Sequence, residues 1–283
     1  MKHFLFSAIK QTAKTLCYGL VGGFSVLIVL FVLYLESRPD LKIWHEVELD
    51  AEFTADSPVQ SFEDYLALEK RLFDQLDERV FFRILPGDRG LISRYHRGSL
   101  SDPGLRSPNW NRTFELSTDA PEADVLLLHG MSDSPYSMRN FGLRLNAEDA
   151  WVIGLRLPGH GTAPSGLVRV RWEDMDAAVM LAVHRLRDKV GERPLYLVGY
   201  SNGSALAVNY ALLSLEIPSL PQISGLVLIS PSIGITPMAA MANWQAKLGR
   251  LLGLSKLAWK DILPEDDPFK YNSFAVNAGD QVY

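Results

Sequence analysis

Pro194-Leu195-Tyr196-Leu197-Val198-Gly199-Tyr200-Ser201-Asn202-Gly203-Ser204-Ala205-Leu206-Ala207-Val208 is the stretch on which the fold turns. Its first five residues form a short apolar run that reads as a buried strand, and Ser204 to Val208 read as the start of a buried helix. Between them stands a Gly-x-Ser-x-Gly pattern. A sharp strand-to-helix turn needs small neighbours, because its central residue takes a strained backbone conformation and the helix packs close to the strand. Gly199 and Gly203 supply them, with Tyr200 and Asn202 flanking the serine. Ser201 is therefore a candidate nucleophile at the tip of the turn. The pattern alone is a weak signal that a capping serine would also give, and its place between strand and helix is what lends it weight.

Outward from this turn, residues 123 to 229 alternate apolar runs with longer helical stretches, the pattern of a parallel sheet covered on both faces. Strands are predicted at Asp124 to Leu128, Trp151 to Leu155, Leu195 to Val198 and Gly225 to Ile229. One intervening helix is opened by Ser134-Pro135. A second carries Trp172, Met175, Val179, Ala182, Leu186 and Val190 on one face, and a third starts after Ser201. The fold class is thus α/β, a mostly parallel sheet with helices on both faces and no internal repeat. Two more loops follow strands. Leu126-Leu127-Leu128-His129-Gly130-Met131 ends the first, and Arg156-Leu157-Pro158-Gly159-His160-Gly161-Thr162 follows the second.

These two loops and the serine turn, in that order, resemble the monoacylglycerol lipase and lysophospholipase branch of the α/β-hydrolase superfamily, which is similar to the S33 serine aminopeptidases. The likeness covers about residues 122 to 235. It implies a carboxylic-ester hydrolase acting on lipid-like acyl esters through an acyl-enzyme on Ser201. The main-chain N–H groups of Met131 and Asn202 would hold the oxyanion. His129, Gly130, Gly199, Tyr200 and Gly203 would shape the site, and His160 would do so as a loop residue outside the triad. His129, at a strand end before glycine, reads as bonded within its turn. His96 lies in a polar loop and His184 on the polar flank of its helix. An amide or peptide hydrolase of the same fold is the rival enzyme reading. An inactive membrane-tethered binding module is the rival from another class.

A serine hydroxyl needs a histidine to take its proton and a carboxylate to orient that histidine, and in the resembled fold they follow the serine as acid, then histidine. After Ser201 there is no histidine. The acids there are Glu216, Asp261, Glu265, Asp266, Asp267 and Asp280, none after a recognisable later strand. The expectation is a C-terminally truncated fragment, two sheet strands short, with the triad acid and histidine absent from this chain. Replacement of the base by His129 or His160 is the alternative. Thr236-Pro237 predicts a helix start, and Met238, Met241, Trp244, Leu248 and Leu251 make an apolar stripe. In the resembled family a cap here receives the acyl chain; simple packing on the core would give the same stripe.

The N-terminus carries its own signal. Leu16 to Leu35 is a run of 20 uncharged residues, enough for one bilayer crossing of roughly 30 Å. Lys2, Lys10 and Lys14 precede it, and Glu36, Arg38 and Asp40 follow. The positive-inside bias puts residues 1–15 in the cytoplasm and the hydrolase part outside, periplasmic if the source is bacterial. A cleaved signal peptide is the rival, although its apolar region is normally shorter. Residues 36–110 read as a linker containing Pro39 and Pro58, with one short strand, and then a helical region capped by Ser61. Residues 111–235 form the core and 236–283 the start of a cap. Asn111-Arg112-Thr113 matches a glycosylation acceptor.

Composition sets the remaining bounds. The net charge is -5, and the three N-terminal lysines leave 25 basic against 33 acidic residues after position 35. That balance argues against a nucleic-acid partner. Cys17 is the single cysteine, which excludes an intrachain disulfide or a Cys-based zinc site. Asp261 to Asp267 lacks calcium-ligand spacing. No metal or nucleotide motif is present and no cofactor is expected. The sequence leaves oligomeric state open.

Overall fold

A computed structural model describes residues 2–188, 193–233, 249 and 251–281. The chain forms two units, Met1–Asp40 and Leu41–Tyr283. The first is helix α1 (Lys2–Ser37). Its stretch Lys10–Ser37 has a mean hydropathy of 2.5 over its most apolar window and buries none of it, so it is long and apolar enough to cross a bilayer.

In the second unit a five-stranded sheet runs in the order β1-β3-β2-β4-β5. Strands β2 (Ala123–Leu128), β3 (Ala150–Leu155), β4 (Leu195–Tyr200) and β5 (Gly225–Ile229) are parallel, while β1 (Phe114–Leu116) joins β3 antiparallel. Leu128 pairs with both Leu155 and Gly199, and Tyr200 pairs with Ile229. The carboxyl ends of β2, β3 and β4 therefore lie level, and the loops after them leave from one edge of the sheet. In open α/β sheets that edge is where ligands bind.

Alternation along the strands sends side chains to both faces. Leu126, Leu128, Ile153 and Leu197 bury against Met175, Val179, Ala182 and Leu186 of α5 (Trp172–Asp188) and Leu206 and Tyr210 of α6 (Asn202–Glu216). Val125, Leu127, Val152 and Val198 bury on the other face with Met138, just before α4 (Arg139–Asn146). Trp172 leaves the predicted stripe, being 43% exposed as the first residue of α5; Val190 lies outside the described residues. Val227 and Leu228 of β5 are also exposed.

Residues 41–60, read from sequence as a linker with a strand, instead form a short helix α2 (Ile43–Glu46) and bury Trp44 and Phe53. The apolar content that gave no clear period is used for packing. Helix α3 (Phe62–Leu76) is capped by Ser61, whose hydroxyl accepts the Asp64 N–H at 3.1 Å. It places Phe62 and Tyr65 in the same core as the sheet and widens into a π turn at Asp77–Phe81. Beyond β5, the stripe residues Met238, Met241, Trp244 and Leu248 lie outside the described residues, and Leu251 is exposed. The chain then makes a two-stranded antiparallel sheet of β6 (Trp259–Asp261) and β7 (Phe274–Ala275). Glu265, expected in an acidic loop, is buried between them and accepts the N–H groups of Asn272 and Ser273 at 3.0 and 2.9 Å. Asn111 is buried with its amide donating to the Pro268 carbonyl at 2.8 Å, so its acceptor motif is closed to a glycan.

One buried network ties these parts to the sheet. Arg156 donates from Nε to Glu69 at 3.1 Å and from Nη2 to Glu52 at 2.9 Å. Glu69 also accepts the Thr113 hydroxyl at 2.7 Å. Removing one partner of a buried pair strands the other charge. Glu69→Ala should destabilise the protein by about 3–5 kcal/mol, read from urea denaturation; a loss under about 1 kcal/mol, the scale of a surface pair, would refute this reading of the network.

Candidate active site

Ser201 sits between β4 and α6 with φ 51 and ψ -115. Such a backbone costs a non-glycine residue about 1–3 kcal/mol and persists only where neighbours hold it. Here the Ser201 N–H donates to the Ile229 carbonyl at 2.9 Å, and the Ser201 carbonyl accepts the Ser204 and Ser232 N–H groups at 3.0 and 3.3 Å. The Ser204 hydroxyl donates to the Gly199 carbonyl at 2.7 Å. The flanking glycines are required by space. A Cβ on Gly199 would lie 2.4 Å from the Gly203 oxygen, and one on Gly203 would lie 2.3 Å from the Leu128 oxygen.

The loop after β2 lies against this turn. A Cβ on Gly130 would come within 3.1 Å of the Tyr200 ring and 3.3 Å of the Ser201 Cβ. Met131 is half-buried against the core and Asn202 is buried, its amide nitrogen 3.6 Å from the Met175 sulfur. Among the described residues, neither the Met131 N–H nor the Asn202 N–H has an acceptor, and the Ser201 hydroxyl has no partner. Two main-chain donors and a hydroxyl thus stand unpaired at the sheet edge.

The histidines are differently engaged. His129 is fully buried, with Nδ1 2.9 Å from the Gly130 carbonyl and Nε2 accepting the Leu157 N–H at 3.1 Å. Its one lone pair is engaged by that N–H and is not free to take a proton. His160, 5.1 Å away between ring centroids, directs Nδ1 to the Pro158 carbonyl at 2.8 Å, and its buried Nε2 has no partner. Burial lowers His160 to about 4 and His129 well below the ordinary imidazole range. His96 is half-buried with Nδ1 near the Gly90 carbonyl, and His184 is exposed. A Ser–His pair, which no sequence motif marks, joins His45 Nε2 to the Ser273 hydroxyl at 2.9 Å. The Lys42 N–H donates to His45 Nδ1 at 2.9 Å, so the proton sits on Nε2 and His45 donates to the serine. That pair is a clasp and cannot activate Ser273.

The segment before β7 also packs on the Gly130 loop. The Tyr271 N–H donates to the Ser132 carbonyl at 2.8 Å, and the Tyr271 hydroxyl accepts the Thr162 N–H at 2.7 Å. Phe269 stacks on Tyr136 with centroids 3.5 Å apart. Sequence reading missed Tyr271 and Asp133, since neither stands in a motif. A cavity of about 630 Å³ opens beside the Pro158–Thr162 loop, lined in part by Phe53, Val170 and Trp259. Ser201 and Met131 are not on its wall, so it is not assigned to the reaction. Among the described residues, no cluster of three or more metal-ligating side chains is present.

Asp133, two residues past Met131, reports on this loop. Burial pushes its carboxyl up to about 6, with Lys270 opposing and Asp267 adding to the shift. A carboxyl raised in the folded state contributes stability below its ordinary value of 3.8, and this is lost as pH rises through about 6. Asp133→Asn should therefore raise the thermal midpoint relative to wild type at about pH 8 more than at about pH 4. Equal differences at both pH values would contradict the shift.

Residues 119–271, just over half of the chain, match the family described as serine aminopeptidase, S33. The thermostable monoacylglycerol lipase of Bacillus sp. (strain H-257) is 30% identical over 129 residues, 45% of this chain and 48% of that protein. The chain thus spans about half the length of the curated relative it matches. A solved structure of LipS and LipT, two metagenome-derived lipolytic enzymes, aligns at 21% identity and a TM-score of 0.46 over 61% of this chain and 66% of that chain. The Paleococcus ferrophilus monoacylglycerol lipase aligns at 22% identity and a TM-score of 0.44 over 60% of this chain and 67% of its own. With its Gly-x-Ser-x-Gly turn and strand-end loops inside the matched residues, the chain belongs to the serine aminopeptidase S33 family of α/β hydrolases.

Proposed function

We propose that the protein is a serine hydrolase of carboxylic esters with lipid-like acyl chains. The observation that carries this reading is the strained Ser201 beside two unpartnered main-chain donors. In the proposed reaction the Ser201 Oγ attacks the acyl carbonyl carbon and its proton passes to a base. The carbonyl oxygen, now an anion, is held by the Met131 and Asn202 N–H groups. The C–O bond to the alcohol breaks, the base returns the proton to the leaving oxygen, and water then releases the acyl group from Ser201. The relative named as a monoacylglycerol lipase supports an ester substrate.

No described side chain bonds the Ser201 hydroxyl, and His45 and His129 have committed ring nitrogens, while His160 keeps an unpartnered Nε2 that is buried. The apolar helix is read as an uncleaved anchor that keeps the N-terminus in the cytoplasm and the hydrolase part on the extracytoplasmic side, supported by the three lysines before it. The family description favours a second reading, cleavage of an amide next to a free amine. The unpaired Ser201 hydroxyl favours a third, an inactive binding module.

The test uses the protein, its Ser201→Ala variant, aryl esters of graded chain length and aminoacyl amides. Ester turnover rising from short to medium acyl chains and lost by at least about 10³-fold in the variant is expected. Equal turnover by the variant would sink the nucleophile assignment, and amide preference would favour the second reading. Failure of the wild-type protein to react with a fluorophosphonate would favour the third.

A further inference from the structure

One peptide group joins His129 to the proposed oxyanion site. His129 Nδ1 lies 2.9 Å from the Gly130 carbonyl oxygen, an atom that can only accept, so Nδ1 carries a proton. Nε2 lies 3.1 Å from the Leu157 nitrogen, whose N–H can only donate, so Nε2 keeps its lone pair. Together these contacts admit one state of the ring, neutral and protonated at Nδ1. Burial first, and then the nearby His160 and Arg156, disfavour the cation. The Gly130 oxygen also accepts the Asp133 N–H at 3.2 Å.

That oxygen belongs to the same peptide unit as the Met131 N–H. A trans peptide is planar, with its C=O and N–H pointing in opposite directions. Two donors holding the Gly130 oxygen therefore turn the Met131 N–H away from them, and it meets no acceptor among the described residues. A hydrogen bond to an amide oxygen also draws electron density from the amide nitrogen and strengthens its N–H as a donor, by about 10–30% per bond.

We infer that His129 is a positioning residue that orients and polarises the Gly130–Met131 peptide, making the Met131 N–H a better donor to an anionic tetrahedral oxygen. Leu157 sets the tautomer that permits this. The inference rests on the reading of Ser201 as nucleophile. It gives the loop after β3 a part in the chemistry without contact with substrate. The Arg156 guanidinium donates to the Leu157 and His160 carbonyls at 3.3 and 3.0 Å, so the ion pairs to Glu52 and Glu69 hold the residue that fixes the His129 proton.

The experiment uses the full chain and an alkyl boronic acid. The Ser201 Oγ adds to boron and releases its proton to solvent, leaving a tetrahedral boronate anion with a hydroxyl at the oxyanion position. Affinity, the Met131 amide proton shift and the His129 ring nitrogen shifts are read by NMR for wild type, H129N, H129L and S201A. An asparagine amide can place a donor where Nδ1–H stands, and leucine cannot. Affinity should fall by about tenfold in H129L and stay within about threefold of wild type in H129N. The Met131 amide proton should move downfield on adduct formation, less so in H129L. Equal losses in both variants, or none in either, would overturn the inference, because a purely structural histidine is not rescued by one donor. If H129L does not fold, the wild-type ring decides: a proton on Nε2, or a charged ring, overturns it. Binding that survives in S201A would instead overturn the nucleophile reading itself.

Discussion

The buried guanidinium of Arg156 is the interaction on which the molecule depends. A charge taken out of water costs several kcal/mol unless excellent geometry and further hydrogen bonds offset it. Here the offset comes from separate parts of the chain. Glu52 comes from the segment before α3, Glu69 from α3 itself, and the Leu157 and His160 carbonyls from the loop after β3. The Tyr65 hydroxyl donates to the Arg156 carbonyl, and the Thr113 hydroxyl accepts its N–H. Both carboxylates offset the cost that burial places on the Arg156 charge. Residues 41–112 are for this reason part of the hydrolase unit, although the family match begins only at residue 119.

This explains what could and could not be read in the sequence. The four parallel strands were legible because each is an apolar run closed by Gly, Pro or Asp, and the nucleophile turn was legible because its geometry admits only small neighbours. The His-Gly and Pro-Gly-His-Gly loops were legible by resemblance. The role of residues 41–60 was not, because Glu52 bonds Arg156, Trp44 stacks on Tyr95 and Phe53 packs on Tyr65, contacts to other elements that leave no local period. The same holds for Tyr271, an ordinary residue by sequence that Thr162 holds in place. The buried state of Asn111 was illegible for the same reason. Glu265 owes its place to a turn that brings the Asn272 and Ser273 N–H groups back to its carboxylate.

The site is assembled from three loops that the sheet brings level. Parallel register between β2, β3 and β4 carries His129, Leu157 and Ser201 to one edge, and hydrogen bonds then run across that edge. Leu157 bonds to His129, His129 to Gly130, and Gly130 lies against Ser201. The Tyr271 segment closes the outer side by bonding Ser132 and Thr162 together. Each loop is therefore fixed by another loop as well as by its own strand. This arrangement restricts motion of the Met131 N–H, and preorganised donors are what stabilise developing charge.

The strain at Ser201 shows why β5 matters although it carries none of the proposed site residues. A left-handed φ on a serine costs about 1–3 kcal/mol, while a single hydrogen bond contributes a net of about 0.5–1.5 kcal/mol, about half as much at the centre of each range. No single contact holds the turn. The Ser201 N–H is held by Ile229 at the end of β5, the Ser201 carbonyl by Ser232 just after it, and the Gly199 carbonyl by Ser204 in α6. Two of these three contacts come from β5 and the residues after it. Ser201 is thus oriented by the neighbouring strand end as much as by its flanking glycines, and loosening β5 would relax it without touching the Gly-x-Ser-x-Gly pattern.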